Sequence, residues 1–292
     1  MNFCTTKPIA IIGAGTIGLS LAQLLAQYEF PVVLIDTSIE ILEIAKQRLK
    51  QNIKEQQFFS PQLINPDDIF KQLEWSDKLE SIAGKDYVFE NITENLSQKL
   101  SLYAKMKDFL NSTSIIAVNT SSIPIFKLAS TLEQHAPRVI GMHFINPVPL
   151  KKVAEMIPSQ YTSQNTIDEA TALLQQINIR PVMVKDRPGF VINRILMSAI
   201  NQAIKILSEN IASTTEIDDL MISCLGHSMG PLATADLIGL DTVLYSLNSL
   251  YNELNQDEFK PASMLVELVK EGALGRKTRK GFYNYYDIYT NT

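Results

Sequence analysis

The chain has 292 residues, of which 46% are hydrophobic and 20% charged, so it can bury one large core or two unequal ones. This composition excludes a disordered chain, collagen and a coiled coil. The formal net charge of −5 opposes binding to nucleic acid. Two cysteines are too few for a disulfide framework or a thiolate metal cluster, so we expect no metal site and a reducing compartment.

The hydropathy pattern indicates neither secretion nor a membrane span. The first eight residues contain no basic segment followed by an apolar stretch and a small-residue cleavage site. No stretch of the sequence approaches the ~18 consecutive apolar residues of a membrane-spanning helix. We therefore expect a cytoplasmic protein.

Short β-branched runs alternate with helical patterns over residues 1–184, which is typical of βαβ units and of a parallel sheet buried on both faces. A helix is predicted after the first strand, and a second one from Ser38 to about Ile53. The strands are predicted at Ile9–Ile12, Val32–Ile35, Tyr87–Phe89, Ile115–Val118 and Val139–Met142. We therefore expect an α/β domain with a doubly wound, mostly parallel sheet of the Rossmann type.

The pattern changes after Val184, where the strands stop and apolar residues recur at helical spacing. Phe190 to Leu207 predicts one long buried helix. Further helices are predicted near Thr215, from Asp241 to Leu254 and from Ser263 to Lys270. Residues 185–292 are therefore expected to form a smaller all-α domain.

A glycine-rich turn follows the first strand and opens the first helix, in the stretch Gly13-Ala14-Gly15-Thr16-Ile17-Gly18. In this pattern the first glycine makes the tight turn, the second lets the backbone approach a pyrophosphate, and the third lets the helix pack on the strand. The pyrophosphate is stabilised by the free N–H groups of the helix N-terminus. The stretch predicts a dinucleotide site, and a glycine turn that binds nothing is the alternative.

Asp36 ends the second strand, 21 residues after Gly15, where a carboxylate can accept hydrogen bonds from the adenosine ribose. The same carboxylate would repel a 2′-phosphate, and Thr37-Ser38 offers no arginine to neutralise one. The sequence therefore favours NAD over NADP.

Polar side chains also follow the third and fourth strands. Glu94 lies just after the third strand, and Asn119 and Ser122 lie just after the fourth. The carboxyl ends of parallel strands line the crevice where such sheets bind ligands. Glu94 and Ser122 are therefore candidate site residues, unless they only cap the helices that follow.

The fifth strand leads into His143, and Glu155 lies twelve positions later within an apolar run. A carboxylate buried in such a run needs a hydrogen-bonded partner, and an imidazole is the obvious one. The carboxylate would orient the ring and leave its other nitrogen to exchange a proton with a substrate. The alternative is a satisfied core histidine, whereas His135 and His227 are expected on the surface or in loops.

Together these stretches resemble the 3-hydroxyacyl-CoA dehydrogenase family, which includes the 3-hydroxybutyryl-CoA dehydrogenases, over nearly the whole chain. Seven stretches match in order, and several ordered motifs are far more specific than any single one. They are the glycine turn with Asp36, Glu94 to Lys99, Asn119 to Ser122, His143 to Glu155, Asp186 to Arg194, Met229 to Asp241, and Leu274 to Tyr283.

The resemblance implies an NAD-dependent oxidoreductase of fatty acid metabolism that interconverts a 3-hydroxyacyl thioester and its 3-ketoacyl form. His143 matches the family's general base and Glu155 its orienting partner. Ser122 and Asn193 match positions that contact the reacting oxygen and the thioester. The cofactor-side positions are matched by Gly13, Gly15, Thr16, Ile17, Gly18, Asp36, Glu94, Lys99 and Asn119.

The resemblance also implies a homodimer paired through the helical domain and a contact between basic residues and coenzyme A. Lys50 and Lys54 lie one turn apart on a predicted helix and are candidates for its phosphates. The alternatives are a solvated basic face or contact with an acidic carrier protein. Two other functions stay open, namely a dehydrogenase of carrier-bound hydroxyacyl groups for polyketide extender units and a non-catalytic NAD-binding protein.

Overall fold

The computed structural model describes residues 7–59 and 64–285, so Cys4 lies outside the described residues. In this part of the chain, eight strands form a single sheet. Its strands are β1 (Ile9–Ile12), β2 (Val32–Ile35), β3 (Leu73–Ser76), β4 (Tyr87–Glu90), β5 (Ile115–Val118), β6 (Val139–His143), β7 (Val153–Pro158) and β8 (Arg180–Met183).

The strand order in the sheet is β3-β2-β1-β4-β5-β6-β7-β8, and only the β6–β7 pair is antiparallel. This confirms the predicted mostly parallel, doubly wound sheet, in which the strand order reverses between β1 and β4. Such a reversal is where open α/β sheets bind dinucleotides. The sequence did not predict β3, β7 or β8, and of these β3 and β8 are partly exposed and lack a continuous apolar run.

Helices cover the two faces of the sheet. They are α1 (Thr16–Gln27), α2 (Ile39–Phe59), α3 (Pro66–Lys71), α4 (Leu96–Met106), α5 (Ile125–Ala129) and α6 (Gln164–Gln176). The second helix extends beyond its predicted end near Ile53, since the Lys, Glu and Gln residues that follow are good helix formers. The core of this part packs α1 side chains such as Leu21 and Leu25 against strand residues such as Ile11 and Val32.

Contacts within the chain cluster into two units, Met1–Arg187 and Pro188–Thr292. The boundary expected from the sequence, after residue 184, lies three residues before this division. The described part of the second unit is helical, with α7 (Ile192–Ser208), α8 (Thr214–Leu225), α9 (Pro231–Ile238), α10 (Leu240–Leu254) and α11 (Ser263–Lys270).

The second unit has a hydrophobic core of its own. The long helix α7 buries Met197, Ile200 and Ile204, and α10 buries Leu247 and Leu250 in the same cluster.

None of the helices in residues 7–59 and 64–285 combines the length and the apolar character needed to cross a membrane.

Candidate active site

The glycine turn joins β1 to α1 at the point where the strand order reverses. Gly13 has a φ of 103°, a conformation that side-chain-bearing residues rarely adopt. A Cβ on Gly18 would collide with the carbonyl oxygen of Gly13, so the third glycine lets the helix pack against the turn. Both glycines are therefore required by the local backbone.

Gly15 serves a different purpose, because a Cβ placed on it would meet no heavy atom of the described residues within 4 Å. It is also the N-cap of α1, and no side chain caps that helix. The first-turn N–H groups therefore border open space at a helix N-terminus, where an anion is stabilised. This cradle fits the diphosphate of a dinucleotide such as NAD.

Asp36 lies directly after β2 and is hydrogen-bonded to the turn. Its Oδ2 accepts from the backbone N–H of Ala14 at 2.7 Å, and its Oδ1 accepts from the N–H of Thr37, also at 2.7 Å. The carboxylate therefore fixes the position of the glycine turn, in addition to the ribose contact expected from the sequence.

His143 and Glu155 lie directly opposite each other on the antiparallel pair β6–β7. Nδ1 of His143 is 2.7 Å from Oε2 of Glu155, and the two residues are only 5% and 3% exposed. The antiparallel pairing explains how residues twelve positions apart form a buried hydrogen bond. It fixes the ring so that Nε2 points away from the carboxylate.

The serine next to the imidazole is Ser121, whose Oγ lies 3.1 Å from Nε2 of His143. The neighbouring Ser122, which was expected from the sequence at the reacting oxygen, lies on the same loop and makes a different hydrogen bond. Ser122 is 2% exposed, and its hydroxyl donates to Oε1 of Glu94 at 2.9 Å. The hydroxyl of Ser122 therefore supports the loop through Glu94, and its contact with the reacting oxygen stays a prediction.

Glu94 holds the loop after β5 rather than capping a helix. Its Oε1 accepts from the backbone N–H groups of Ser121 and Ser122 and from the hydroxyl groups of Thr120 and Ser122, at 2.6 to 3.0 Å. The cap of α4 is Asn95 instead. Glu94 therefore positions the loop that carries Ser121.

Lys99 is fully buried and is bound to another carboxylate. Its Nζ lies 2.6 and 2.8 Å from the two carboxylate oxygens of Glu90, whose side chain is also fully buried. Burial raises the pKa of Glu90, and the Lys99 ammonium opposes that rise. The hydroxyl of Tyr103 donates to the same carboxylate, and burial holds the pKa of this tyrosine well above its usual range.

Asn119 ties the end of β5 to the end of β6. Its Oδ1 accepts from the backbone N–H of Phe144 at 3.2 Å. Its own carbonyl oxygen lies 3.4 Å from Nζ of Lys99. The residue expected on the cofactor side therefore also braces the strand that carries His143.

A cavity of about 150 Å³ lies between α1, α2 and the loop after β6. It is lined by Thr16, Ser20, Gln23, Asn52, Gln56 and Asn146, among others. Lys50 lies on another flank of α2, with Nζ 5.9 Å from the ring centroid of Phe70. Lys54 is exposed one turn further on, so neither candidate lysine lines this cavity.

The candidate Asn193 and the two other histidines of the chain belong to other elements. Asn193 is buried in the first turn of α7, in the second unit. His135, expected at the surface or in a loop, is instead 4% exposed, and burial lowers its pKa. His227 is exposed as expected.

Ser121, Glu90 and Tyr103 belong to this network but were not predicted from the sequence. Ser121 differs from Ser122 by one position, and only the backbone of the loop decides which hydroxyl meets the imidazole. Glu90 could have been predicted from the sequence, because a charged residue at the end of a buried strand requires a partner. Tyr103 carried no signal that distinguishes it from an ordinary core aromatic residue.

Two family comparisons cover almost the whole chain. Residues 8–187 match the family described as "3-hydroxyacyl-CoA dehydrogenase, NAD binding domain". Residues 189–285 match "3-hydroxyacyl-CoA dehydrogenase, C-terminal domain".

Individual relatives agree with these matches. The chain is 37% identical to a probable 3-hydroxybutyryl-CoA dehydrogenase of Deinococcus radiodurans, over 94% of this chain and 99% of the relative. It is 35% identical to the 3-hydroxybutyryl-CoA dehydrogenase of Clostridioides difficile, over 95% of this chain and 99% of the relative. The solved structure of (S)-3-hydroxybutyryl-CoA dehydrogenase from Ralstonia eutropha is 37% identical and superposes with a TM-score of 0.85, covering 96% of this chain and 99% of that one.

Proposed function

The chain belongs to the 3-hydroxyacyl-CoA dehydrogenase family, and on that premise we propose that it oxidises the (S)-3-hydroxyl group of a short acyl-CoA with NAD. The observation that carries the proposal is the buried His143–Glu155 hydrogen bond beside Ser121. The relatives' names supply the acyl-CoA class and the configuration at C3. They favour coenzyme A over the carrier-bound alternative.

His143 is the proposed acid–base group. Because Glu155 accepts the proton on Nδ1, Nε2 is the nitrogen that takes the hydroxyl proton of the substrate. Glu155 then stabilises the imidazolium, which returns its proton to the keto oxygen in the reverse direction. Bound NAD supplies the acceptor for the hydride that leaves C3.

Ser121 is proposed to orient the reacting oxygen. Its hydroxyl lies within hydrogen-bond distance of Nε2 of His143, so a substrate oxygen that reaches Nε2 also comes within reach of Ser121. Asn193 remains the candidate contact for the thioester. Ser122, which the resemblance placed at the reacting oxygen, is proposed to support this loop through its hydrogen bond with Glu94.

The cofactor is proposed to be NAD rather than NADP. Residues Gly13, Gly15, Thr16, Ile17 and Gly18 would hold the diphosphate, and the open space above Gly15 supports this. Asp36 would face the adenosine ribose and repel a 2′-phosphate. Glu94 and Asn119 would lie on the nicotinamide side, whereas Lys99 would act through Glu90 and Glu94 because it is fully buried.

Lys50 and Lys54 remain proposed contacts for the phosphates of coenzyme A. Their exposure and their spacing of one helical turn support the proposal. We also propose a homodimer paired through the second unit. Large exposed apolar side chains on its helices support this, such as Ile195, Leu220 and Leu225 at 66%, 57% and 65% exposure.

Absorbance of NADH tests the proposed function on the purified full-length chain. We expect NADH formation from (S)-3-hydroxybutyryl-CoA and NAD, and at least about 100-fold lower kcat/KM with NADP because of the charge on Asp36. The (R) isomer and the same acyl group on a carrier protein are the controls. Bound NAD without turnover on hydroxyacyl thioesters of graded length would instead support a non-catalytic NAD-binding protein.

A further inference from the structure

Three charged side chains form a buried cluster next to the loop after β5. They are Glu90 at the end of β4, Glu94 just beyond it, and Lys99 in the first turn of α4. We call these three residues the buried triad. Lys99 and Glu90 are fully buried at their side chains, while the side chain of Glu94 is 26% exposed.

With Glu90 and Glu94 ionised and Lys99 protonated, the triad carries one more negative than positive charge. Nζ of Lys99 lies 2.6 Å from Oε1 of Glu90 but 4.0 Å from Oε2 of Glu94, so its charge is matched to Glu90. Within the described residues, Lys99 is the only cationic group within 4.0 Å of either carboxylate. Tyr103 adds a hydrogen bond to Glu90 but no charge. The excess charge therefore lies on Glu94.

This excess charge is close to the reacting end of the proposed site. Oε1 of Glu94 accepts from the backbone N–H of Ser121, and the hydroxyl of Ser121 lies 3.1 Å from Nε2 of His143. The imidazole already has its own carboxylate partner in Glu155. The charge of Glu94 is thus not needed to balance an imidazolium.

The oxidised and reduced forms of NAD differ by one charge at their reacting ring, since the nicotinamide is cationic when oxidised and neutral when reduced. In the proposed reaction, the nicotinamide ring accepts hydride from the substrate carbon whose hydroxyl group faces His143. The ring must therefore lie near the loop that Glu94 positions. Opposite charges in a partly desolvated crevice attract, whereas a neutral ring gains nothing from the carboxylate.

We propose that Glu94 is the counter-charge for the oxidised nicotinamide and raises the affinity for NAD relative to NADH, with Glu90 controlling this charge by holding Lys99. The proposal rests on the proposed function. It assigns two carboxylates to two positive charges, Glu155 to the imidazolium and Glu94 to the oxidised ring. Glu90 is a positioning residue, because it is fully enclosed and acts through Lys99.

The test measures dissociation constants for NAD and for NADH by titration calorimetry, without substrate and at low ionic strength. Glu94→Gln keeps a carbonyl oxygen for the loop N–H groups but removes the charge. We expect it to raise the ratio of the NAD constant to the NADH constant by about three- to tenfold, the effect of one unit charge in a partly solvated site.

A matched control removes one carboxylate charge at the opposite end of the proposed NAD site. Asp36→Asn deletes a carboxylate next to the glycine turn, where both cofactor forms have the same adenosine half. We expect it to weaken NAD and NADH alike and to leave their ratio unchanged.

Glu90→Gln provides a second, independent variant. Without the Glu90 charge, Lys99 is left to neutralise Glu94, so the ratio should shift in the same direction as in Glu94→Gln although residue 90 touches no ligand. If this buried substitution prevents folding, Glu94→Gln carries the test alone.

An unchanged ratio in Glu94→Gln overturns the inference, as does an equal loss of affinity for both forms, which would mean a contact without charge selectivity. In either case, binding of NAD and NADH by the wild type leaves the proposed function intact. A wild type that binds neither form overturns both the cofactor assignment and this inference.

Discussion

Ser121 and Ser122 are adjacent in sequence but have different surroundings. Ser121 is placed against His143, whereas Ser122 is buried and bonded to Glu94. The pairing of His143 with Glu155 was predictable, because a carboxylate in an apolar run needs a partner. The choice between neighbouring serines was not, since it depends on a loop whose course is set by the Glu94 carboxylate.

Replacing each serine by alanine should separate the two roles. Ser121→Ala should lower kcat by about 10- to 100-fold, because a group oriented at the reacting oxygen is lost, and should leave NADH affinity unchanged. Ser122→Ala should lower the free energy of unfolding by about 1 kcal/mol through loss of a buried hydrogen bond. Steady-state kinetics and thermal unfolding of both variants check this, and a larger kcat loss in Ser122→Ala would reverse the assignment.

At the scale of elements, the turn between β1 and α1 shows which parts of a motif serve folding and which serve binding. Gly18 is needed for the packing of α1, since its missing Cβ leaves room for the Gly13 carbonyl. Gly15 has a φ of −70° and open space around it, so the folded chain itself does not require glycine there. Its function lies in the approach of a ligand to the helix N-terminus.

The two glycines should therefore respond differently to alanine. Gly15→Ala should leave the melting temperature unchanged and raise the NADH dissociation constant at least tenfold, because the new methyl group would occupy the space of the diphosphate. Gly18→Ala should destabilise the protein by roughly 1–3 kcal/mol through overpacking. Calorimetric unfolding and NADH titration test both, and equal loss of stability in the two variants would contradict the distinction.

The strands show which secondary structure could be predicted from the sequence pattern and which could not. The five predicted strands are continuous apolar runs at the centre of the sheet, and all five are present. The sequence showed β7 only as an apolar run, and its antiparallel pairing with β6 requires the chain to reverse between His143 and Val153. The end of α2 was predicted too early, near Ile53. The helix continues to Phe59, since no Gly or Pro occurs between its first residue and Pro61.

On the scale of the whole molecule, the net charge of −5 opposes binding of an anionic cofactor and an anionic thioester. Local groups must overcome this field, and the helix N-terminus at Gly15 is the clearest of them. The buried triad adds to the negative charge, but only near the proposed position of a cationic ring. The positions of the charges therefore matter more for cofactor binding than the net charge does, and composition alone does not give those positions.

The family's two halves, residues 8–187 and 189–285, correspond closely to the two units of the structure. The fold class followed from apolar periodicity, and the cofactor class followed from the glycine turn with Asp36. The substrate class needed the resemblance and the relatives, because no single residue distinguishes a thioester from another hydroxyl-bearing ligand. What the structure adds is the network that joins Glu94, Ser121 and His143.

The central claim is that His143 transfers the proton in the oxidation of a 3-hydroxyacyl-CoA, and a His143→Ala variant tests it most directly. NADH formation from (S)-3-hydroxybutyryl-CoA should fall by ~10²- to 10⁴-fold, the usual contribution of a general base. NADH binding to the same protein should be unchanged, and the exposed His227→Ala should keep full turnover as the matched control. Retained turnover in His143→Ala would contradict the account.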